Sequence, residues 1–281
     1  MRLFISAVFL QLNFCKDSIV PMGSIISIVN QKGGVGKTIT AVNLSSSIAA
    51  AEKRCLLVDC DPQGNATTSL GVNPSSVEPS LYDILLERCM DDKFILDTEI
   101  PMLNLIGANP DLFGAEIEMF SKNNKEYLLH NVLSQFKDTY DYIFIDCPPS
   151  LGFLTLNALT AADFFLVPLQ CEYLAMEGLT QLLNTVRLVK KGLNPSLIMM
   201  GILLTMFDKR NNLSHQVADE VRRHFGSSVF HAVIPRNVSL SEASSHGKPI
   251  ILYDIRSKGA QSYLELAKEI ILKGGDKGGQ T

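Results

Sequence analysis

The stretch QKGGVGKTITAVN, residues 31–43, contains residue types that can bind phosphate. Its three glycines are Gly33, Gly34 and Gly36. Glycines at this spacing allow the backbone to curl with its N–H groups pointing inward, around an anion. Lys37 can then reach the β- and γ-phosphates of a nucleotide, and the Thr38 hydroxyl can ligate Mg²⁺. An apolar run precedes this loop and a helical pattern follows it, which is the context that such a loop requires.

Two acidic clusters follow further along the chain. In LLVDCDPQGNAT, Asp59 closes an apolar run and Asp61 comes two residues later. In YDYIFIDCPPSLG, Asp146 closes another apolar run. An aspartate at the end of a strand can hold Mg²⁺ through water or can simply cap the next helix. Two such acids beside a phosphate loop favour a metal-dependent nucleotide site.

Short apolar runs separated by helical patterns define the elements that must position these residues. The runs predict strands over 25–30, 55–59, 103–107, 142–146, 164–169, 198–205 and 229–234. Helical periodicity predicts helices over 37–51, 127–136, 175–191, 215–225 and 257–273. Strands that are apolar throughout are typical of a sheet covered on both faces. The alternation predicts an α/β fold with a doubly wound, mostly parallel sheet and helices on both faces.

The alternation of strands and helices indicates how the chain is organised into domains. No Pro/Gly/Ser-rich linker divides the chain, so we expect a single domain over residues 22–273. Residues 1–21 are interpreted as an N-terminal extension that arises from a mis-assigned start, with Met22 as the initiator. The polar, glycine-rich residues 274–281 are expected to form a flexible tail. No apolar run reaches the roughly 20 residues that a membrane span needs.

Composition and charge narrow the class of protein. The chain is 46% hydrophobic and 19% charged, which is ordinary for a globular protein with a deep core. Residues 1–204 carry 14 Lys and Arg against 21 Asp and Glu, whereas residues 205–281 carry 11 against 8. Any DNA-facing surface is therefore expected in the C-terminal third. The six cysteines have no zinc-ligand spacing, and Cys55, Cys60 and Cys147 are expected to be buried apolar residues in a reducing cytosol.

The loop departs from the plain P-loop pattern, because the first glycine of that pattern would fall at Gln31. The sequence KGGVGKT instead resembles the deviant Walker A motif of the ParA/MinD ATPase family, whose signature lysine aligns with Lys32. The resemblance extends from Met22 to Lys273 and includes VPLQCEYLAMEGL and VIPRNVSLSEASSHGKPIILYD. Within the family it is much closer to the Soj-type chromosome-partitioning branch than to MinD.

The resemblance implies a role for each matching residue. Lys32 would reach the nucleotide of a partner chain, and Asp61 would orient or deprotonate the attacking water beside Lys37. Thr38 and Asp146 would hold Mg²⁺, and residues 147–152 would form the second switch segment. The implied nucleotide-binding residues are Gly33, Gly34, Val35, Gly36, Lys37, Thr38, Ile39, Met206, Pro235 and Asn237.

The family also implies partners for the chain. They are a second copy in an ATP-dependent homodimer, double-stranded DNA bound without sequence preference, and a ParB-type centromere-binding protein that stimulates hydrolysis. The expected location is the cytoplasm, on the nucleoid, with no stable membrane anchor. Arg210, Lys209 and Arg236 are the expected DNA-binding residues. Two departures from the family pattern are expected to weaken binding. Ser239 stands where an arginine of the family binds DNA, which should lower the affinity for DNA. Ile39 stands where a second threonine is usual, which should lower the affinity for the nucleotide.

Other classes of function remain open on the sequence alone. A MinD-like, membrane-associated cell-division ATPase requires a basic amphipathic C-terminal helix, whereas this chain ends in glycine-rich ILKGGDKGGQT. A reductase of the nitrogenase iron-protein type needs cysteines placed to hold an iron-sulfur cluster between subunits, and the spacing of Cys147 and Cys171 does not provide that context. An ATP-dependent ligase of the dethiobiotin synthetase type would have substrate-binding loops that do not appear in this sequence. The remaining alternative is a regulatory protein that binds the nucleotide without hydrolysing it. A measurement of phosphate release stimulated by a partner would exclude this alternative.

Overall fold

The computed structural model describes residues 20–86, 92–119 and 122–274. Residues 1–19 and 275–281 therefore lie outside it, and with them nearly all of the predicted extension and tail. The described strands are β1 (Ser24–Ile28), β2 (Cys55–Asp59), β3 (Ile95–Asp97), β4 (Leu103–Ile106), β5 (Tyr142–Asp146), β6 (Phe164–Gln170), β7 (Ile198–Phe207) and β8 (Val229–Pro235). All of them join one sheet.

The sheet has the order β3-β4-β2-β5-β1-β6-β7-β8. Every neighbouring pair is parallel except β3 with β4, which is antiparallel. The predicted mostly parallel sheet is thus confirmed. The edge strand β3 was not predicted from the sequence. It is three residues long and partly exposed, so its apolar stretch is too short to indicate a strand.

The helices are α1 (Lys37–Ala49), α2 (Asn65–Ser69), α3 (Leu81–Leu85), α4 (Leu112–Met119), α5 (Leu128–Leu133), α6 (Phe153–Ala161), α7 (Ala175–Gly192), α8 (Asn212–Phe225), α9 (Val238–Ser245), α10 (Ile250–Tyr253) and α11 (Lys258–Gly274). The five predicted helices correspond to α1, α5, α7, α8 and α11. The predicted helix over 127–136 is shorter in the structure, because 3₁₀ turns flank α5 on both sides. Helix α8 begins at Asn212, three residues before its predicted start. Asn211 caps it, because the Asn211 side chain accepts a hydrogen bond from the Leu213 N–H.

Two separate apolar cores cover the faces of the sheet, as a doubly wound fold requires. Alternate residues of one strand enter different cores: Ile25 and Val29 face one, while Ile26 and Ile28 face the other. Helices α4 to α8 pack on the first face, and α1, α9 and α11 pack on the second. Cys55, Cys60 and Cys147 are buried among these residues, as predicted. Among the described residues, no helix is both long and apolar enough to cross a lipid bilayer.

The register of the central strands determines where the polar residues meet. Asp59, the last residue of β2, pairs with Asp146, the last residue of β5, and Asp146 also pairs with Ile28 at the end of β1. The carboxyl ends of parallel strands lie at one edge of the sheet, where ligands bind in open α/β folds. The loop that leaves β1 and both acids therefore share this edge.

Candidate nucleotide-binding site

The loop between β1 and α1 adopts a conformation that depends on glycine at two positions. Gly34 has φ 73° and Gly36 has φ 89°, both in the left-handed region that side chains disfavour. Gly36 is also the N-cap of α1, where it offers no side chain to the helix. The first N–H groups of a helix have no intrahelical acceptor, so this end of α1 presents donors and a positive dipole to an anion.

Hydrogen bonds from neighbouring strands hold this loop in place. The Asn30 side chain donates to the Pro168 carbonyl (2.8 Å) and accepts from the Lys32 N–H (3.0 Å). The Thr205 hydroxyl, at the end of β7, donates to the Val35 carbonyl (2.8 Å). Val35 is buried, so its expected contribution to the site comes from its backbone.

Lys37 lies at the floor of the loop and is 6% exposed. Its ammonium group donates to the Lys32 carbonyl (3.1 Å), which fixes the side chain along the loop. Burial lowers the pKa of Lys37, and the nearby charges of Asp146 and Asp61 oppose that shift. The arrangement places one cation beneath the turn that the glycines form.

Lys32 extends away from this floor toward the loop after β6. Its Nζ forms an ion pair with Glu172 Oε2 at 2.6 Å, and both side chains are partly exposed. Gln170 donates to the other oxygen of the same carboxylate. Lys32 is not among the residues that line the clefts described below. Sequence reasoning missed Glu172, although an acid just after the apolar strand β6 falls at the same carboxyl edge and could have been found by that rule.

Asp61 follows β2 in a tight turn and is 6% exposed. Its Oδ1 accepts the Gln63 N–H (3.0 Å), and its carbonyl accepts the Gly64 N–H (2.9 Å). Gly64, the residue before α2, has φ 62°, in the left-handed region that glycine tolerates. The turn brings Asp61 to the wall of a cleft that Gly33, Gly34 and Lys37 also line.

Asp146 is fully buried beneath the loop, and neither of its carboxylate oxygens has a hydrogen-bond partner among the described residues. The Thr38 hydroxyl lies near enough to Asp146 to lower the pKa of that carboxyl. Burial raises the pKa of Asp146, the adjacent Asp59 raises it further, and Thr38 and Lys37 oppose the shift. Burial raises the pKa of Asp59 as well. Two buried acids repel each other here, and the oxygens of one of them, Asp146, have no donor among the described residues. This arrangement fits a hard cation with oxygen ligands.

Two adjoining clefts open at this edge. The phosphate-side cleft, of about 370 Å³, is lined by Gly33, Gly34, Gly36, Lys37, Thr38, Ile39, Asp61, Asn65, Ser69, Pro149, Met206 and Ser244. The base-side cleft, of about 380 Å³, is lined by Gly36, Ile39, Thr205, Met206, Ile234, Pro235, Arg236, Asn237, Val238, Leu240, Ser241 and Tyr263. Ile39, Gly36 and Met206 belong to both. The clefts thus bring together most of the residues that were predicted from the loop and from the distant strand ends, whereas Lys32, Val35 and Asp146 line neither cleft.

Several lining residues were missed from the sequence. Asn65 and Ser69 come from α2, a helix of five residues that is too short to give a periodic signal. Ser244 and Tyr263 come from α9 and α11, more than 200 positions after the loop. The Asn237 Oδ1 is buried without a hydrogen-bond partner among the described residues, at the wall of the base-side cleft.

The three candidate DNA-binding residues lie together beside the base-side cleft. Arg210 is in the turn between β7 and α8; its side chain is 90% exposed and its guanidinium contacts Asp208 at 3.1 Å through both Nε and Nη2. Hydrogen bonds from Arg210 hold the pKa of Asp208 at about 2. The Arg236 N–H donates to the Phe207 carbonyl (3.1 Å), which places it next to this turn. Lys209 is also exposed.

The fold and this loop together define an α/β protein of the P-loop nucleotide-binding class. A family profile described as an AAA domain matches residues 23–199. The chromosome partitioning protein ParA of Myxococcus xanthus is 56% identical over 250 residues, which cover 89% of this chain and 88% of that protein. The sporulation initiation inhibitor protein Soj of Bacillus subtilis is 56% identical over 253 residues, covering 90% and 100%.

Solved structures give the same architecture. Cobyrinic acid a,c-diamide synthase of Mycobacterium smegmatis, with bound ADP and magnesium, matches with a TM-score of 0.79 and 36% identity over 92% of this chain and 98% of that one. The cell division ATPase MinD of Pyrococcus furiosus matches with a TM-score of 0.74 and 28% identity over 89% and 99%. The chain belongs to the ParA family of chromosome-partitioning ATPases, the family that its loop motif resembles.

Proposed function

We propose that this protein is a partition ATPase that binds DNA without sequence preference when ATP makes it dimerise, and that a ParB-type partner stimulates its hydrolysis. One observation carries the link between nucleotide and DNA. The end of β7 supplies Thr205 and Met206 to the base-side cleft and, within five residues, Arg210 to the exposed surface. A nucleotide that contacts Met206 is therefore adjacent to the turn that carries the candidate DNA contact.

The residues present fit ATP and Mg²⁺. The unpartnered Asn237 Oδ1 offers an acceptor to the exocyclic amine of adenine in the base-side cleft. Gly33, Gly34 and the N-terminus of α1 offer donors to the phosphates. Thr38 and the unpartnered Asp146 oxygens would hold Mg²⁺, Asp146 through water, and the cation would neutralise charge on the phosphates when bound.

Dimerisation explains how nucleotide binding switches DNA binding on. One chain presents only three candidate DNA contacts beside the base-side cleft among the described residues, Lys209, Arg210 and Arg236, and Asp208 partly neutralises Arg210. Two chains held together by ATP double the number of phosphate contacts, and the affinity of such contacts grows steeply with their number. Lys32, which lies outside its own clefts, is available to a partner's nucleotide once it leaves Glu172.

DNA binding across a salt series tests this proposal. Equal-length duplexes of unrelated sequence are titrated with ATP, with ADP and without nucleotide. We expect ATP-dependent binding that is blind to sequence and falls linearly in log affinity with log salt. Arg210→Ala should lower the salt slope by about one per chain and weaken binding roughly 10-fold. Arg54→Ala, at the opposite edge of the sheet, is the matched control and should change neither quantity.

Two results would contradict the proposal: DNA binding that is equal with ATP and without nucleotide, or ATP-dependent binding that Arg210→Ala leaves unchanged. Phosphate release measured with and without the centromere-binding partner separates the enzyme from a purely regulatory nucleotide binder.

Ile39 gives a separate prediction about nucleotide affinity. Its side chain lines both clefts and packs against the core of the second sheet face, so it offers the α-phosphate only its backbone N–H. We expect Ile39→Thr to tighten ATP binding by about 10-fold or more, since a hydrogen bond to a charged group contributes about 1.5 to 3 kcal/mol where water does not already replace it. Turnover at saturating ATP should not change.

The matched control is Ile39→Val, which has nearly the shape of threonine without its hydroxyl. Calorimetric titration with a non-hydrolysable ATP analogue compares the two variants. An equal dissociation constant for Ile39→Thr and the wild type, or equal tightening in Ile39→Val, would exclude the missing hydroxyl as the cause.

A further inference from the structure

A buried hydrogen-bond network lies behind the turn that carries Asp61. At its centre is Asp59, the last residue of β2, which is fully buried. Its Oδ2 accepts both the Thr67 N–H (2.8 Å) and the Thr67 hydroxyl (2.7 Å), and its Oδ1 accepts the Asp61 N–H (3.2 Å). A single carboxylate thus binds the start of the turn and the middle of α2.

Thr67 connects this network to a second strand. Its hydroxyl donates to Asp59 and accepts the Ala108 N–H (3.1 Å), just after β4. Thr67 and Ala108 are both fully buried. Because β2 pairs with β4, the turn is held at the ends of two adjacent strands. Hydrogen bonds to a buried charged acceptor are among the strongest in proteins, and leaving such an acceptor unpaired is costly.

The side chain of Asp61 has little support of its own. Its recorded side-chain hydrogen bond is to Gln63, within the same turn. The position of its carboxylate in the cleft therefore depends on the backbone of the turn, which Asp59 fixes through the Asp61 N–H. Neither Asp59 nor Thr67 lines either cleft.

We infer that Asp59 and Thr67 are positioning residues for hydrolysis, which hold Asp61 where it can act on the attacking water without contacting nucleotide themselves. This inference rests on the proposed ATPase activity of the site. A loosened turn would leave ATP bound by the loop but place Asp61 poorly, so the rate at saturating ATP should fall while affinity stays constant. A purely structural role would change both quantities and the stability together.

Thr67 offers a matched pair of variants. Thr67→Val keeps the shape of the side chain but removes the hydroxyl, which breaks the hydroxyl's bonds to Asp59 and Ala108 and leaves only the backbone N–H of residue 67 donating to Asp59. Thr67→Ser keeps the hydroxyl. Single-turnover hydrolysis and ATP affinity are measured for both, together with hydrogen exchange of residues 61–66.

We expect Thr67→Val to hydrolyse ATP roughly 10-fold more slowly, a loss of about 1.4 kcal/mol of transition-state stabilisation. Its ATP dissociation constant should stay within about 2-fold of the wild type, and exchange in residues 61–66 should accelerate. Thr67→Ser should restore the rate. If Thr67→Val does not fold, Asp59→Asn, which keeps the size but not the charge of the acceptor, should give the same separation of rate from affinity.

A folded Thr67→Val that hydrolyses ATP at the wild-type rate would overturn the inference, as would equal losses of rate and affinity. For Asp59→Asn, a wild-type rate has the same meaning. Absence of hydrolysis in the wild type itself, with or without the partner, would instead overturn the proposed function, so the two failures are distinguishable.

Discussion

Lys32→Ala is expected to abolish ATP-dependent dimerisation and to lower partner-stimulated hydrolysis by about 10³-fold, the lower range for a charge supplied in trans to a transferring phosphoryl group. The reason is geometric. Lys37 already lies at the floor of its own loop, while Lys32 extends outside both clefts to Glu172. Sedimentation analysis with ATP and with ADP measures the dimer, and phosphate release with the partner measures turnover.

Glu172→Gln is expected to have the opposite effect on ATP-dependent dimerisation. In the single chain Glu172 holds Lys32 at 2.6 Å, so a reach toward a partner's nucleotide must first break this ion pair. Both side chains are partly exposed, and exposed ion pairs contribute about 0 to 1 kcal/mol. Removing the charge on Glu172 should therefore strengthen the ATP dimer by no more than about 5-fold for each of the two ion pairs that dimerisation breaks. The double variant should behave like Lys32→Ala alone.

Lys137→Ala is the matched control for Lys32→Ala. Lys137 forms an ion pair of the same kind with Asp163, at 2.7 Å and similar exposure, but at the amino-terminal edge of the sheet. Its loss should leave dimerisation unchanged. A Lys32→Ala protein that still dimerises on ATP and still responds to the partner would exclude the role in trans.

Asp61→Asn is expected to slow hydrolysis by about 10²-fold or more while ATP still binds, since positioned general acid-base groups contribute about 10² to 10⁴. Asparagine keeps an oxygen for the Gln63 N–H, so the turn should persist. The variant should then accumulate as an ATP-bound dimer that stays on DNA. Single-turnover phosphate release and the lifetime of the protein on DNA measure the two effects.

Asp254→Asn controls for the substitution itself. Asp254 accepts the N–H of Arg256, two residues later, at 3.1 Å, which repeats the local geometry of Asp61 and Gln63 outside the clefts. It should hydrolyse ATP normally. If Asp61→Asn also hydrolyses ATP at the wild-type rate, the attacking water is activated by another group. Thr67 would then have no catalytic role through Asp61 either.

The elements that sequence reasoning recovered are those whose pattern is local and strong. Seven of the eight described strands lie in mainly apolar runs, and the longer helices α7 and α11 have a clear apolar stripe. Helix α6 was missed because it is buried on nearly all sides and shows no stripe. Helices α2, α3 and α10 were missed because they have five residues or fewer.

The same distinction applies to the site. The loop from Gln31 to Thr38 could be predicted because its glycines, lysines and threonine are neighbours in the chain. A shared edge for Asp59 and Asp146 followed from a parallel sheet once both were placed at strand ends, while their direct pairing depends on the strand order. Asn65, Ser69 and Ser244 could not be placed, because their role depends on how short helices pack over the edge.

By itself, the sequence determined the class of fold, the phosphate loop and the candidate acids, since each depends on residue type at short spacing or on strand periodicity. Only the tertiary structure decided what those residues contact. It pairs Lys32 with Glu172 across 140 positions and ties Asp59 through Thr67 to Ala108. These contacts join segments that packing alone brings together, and no local pattern encodes such a distance.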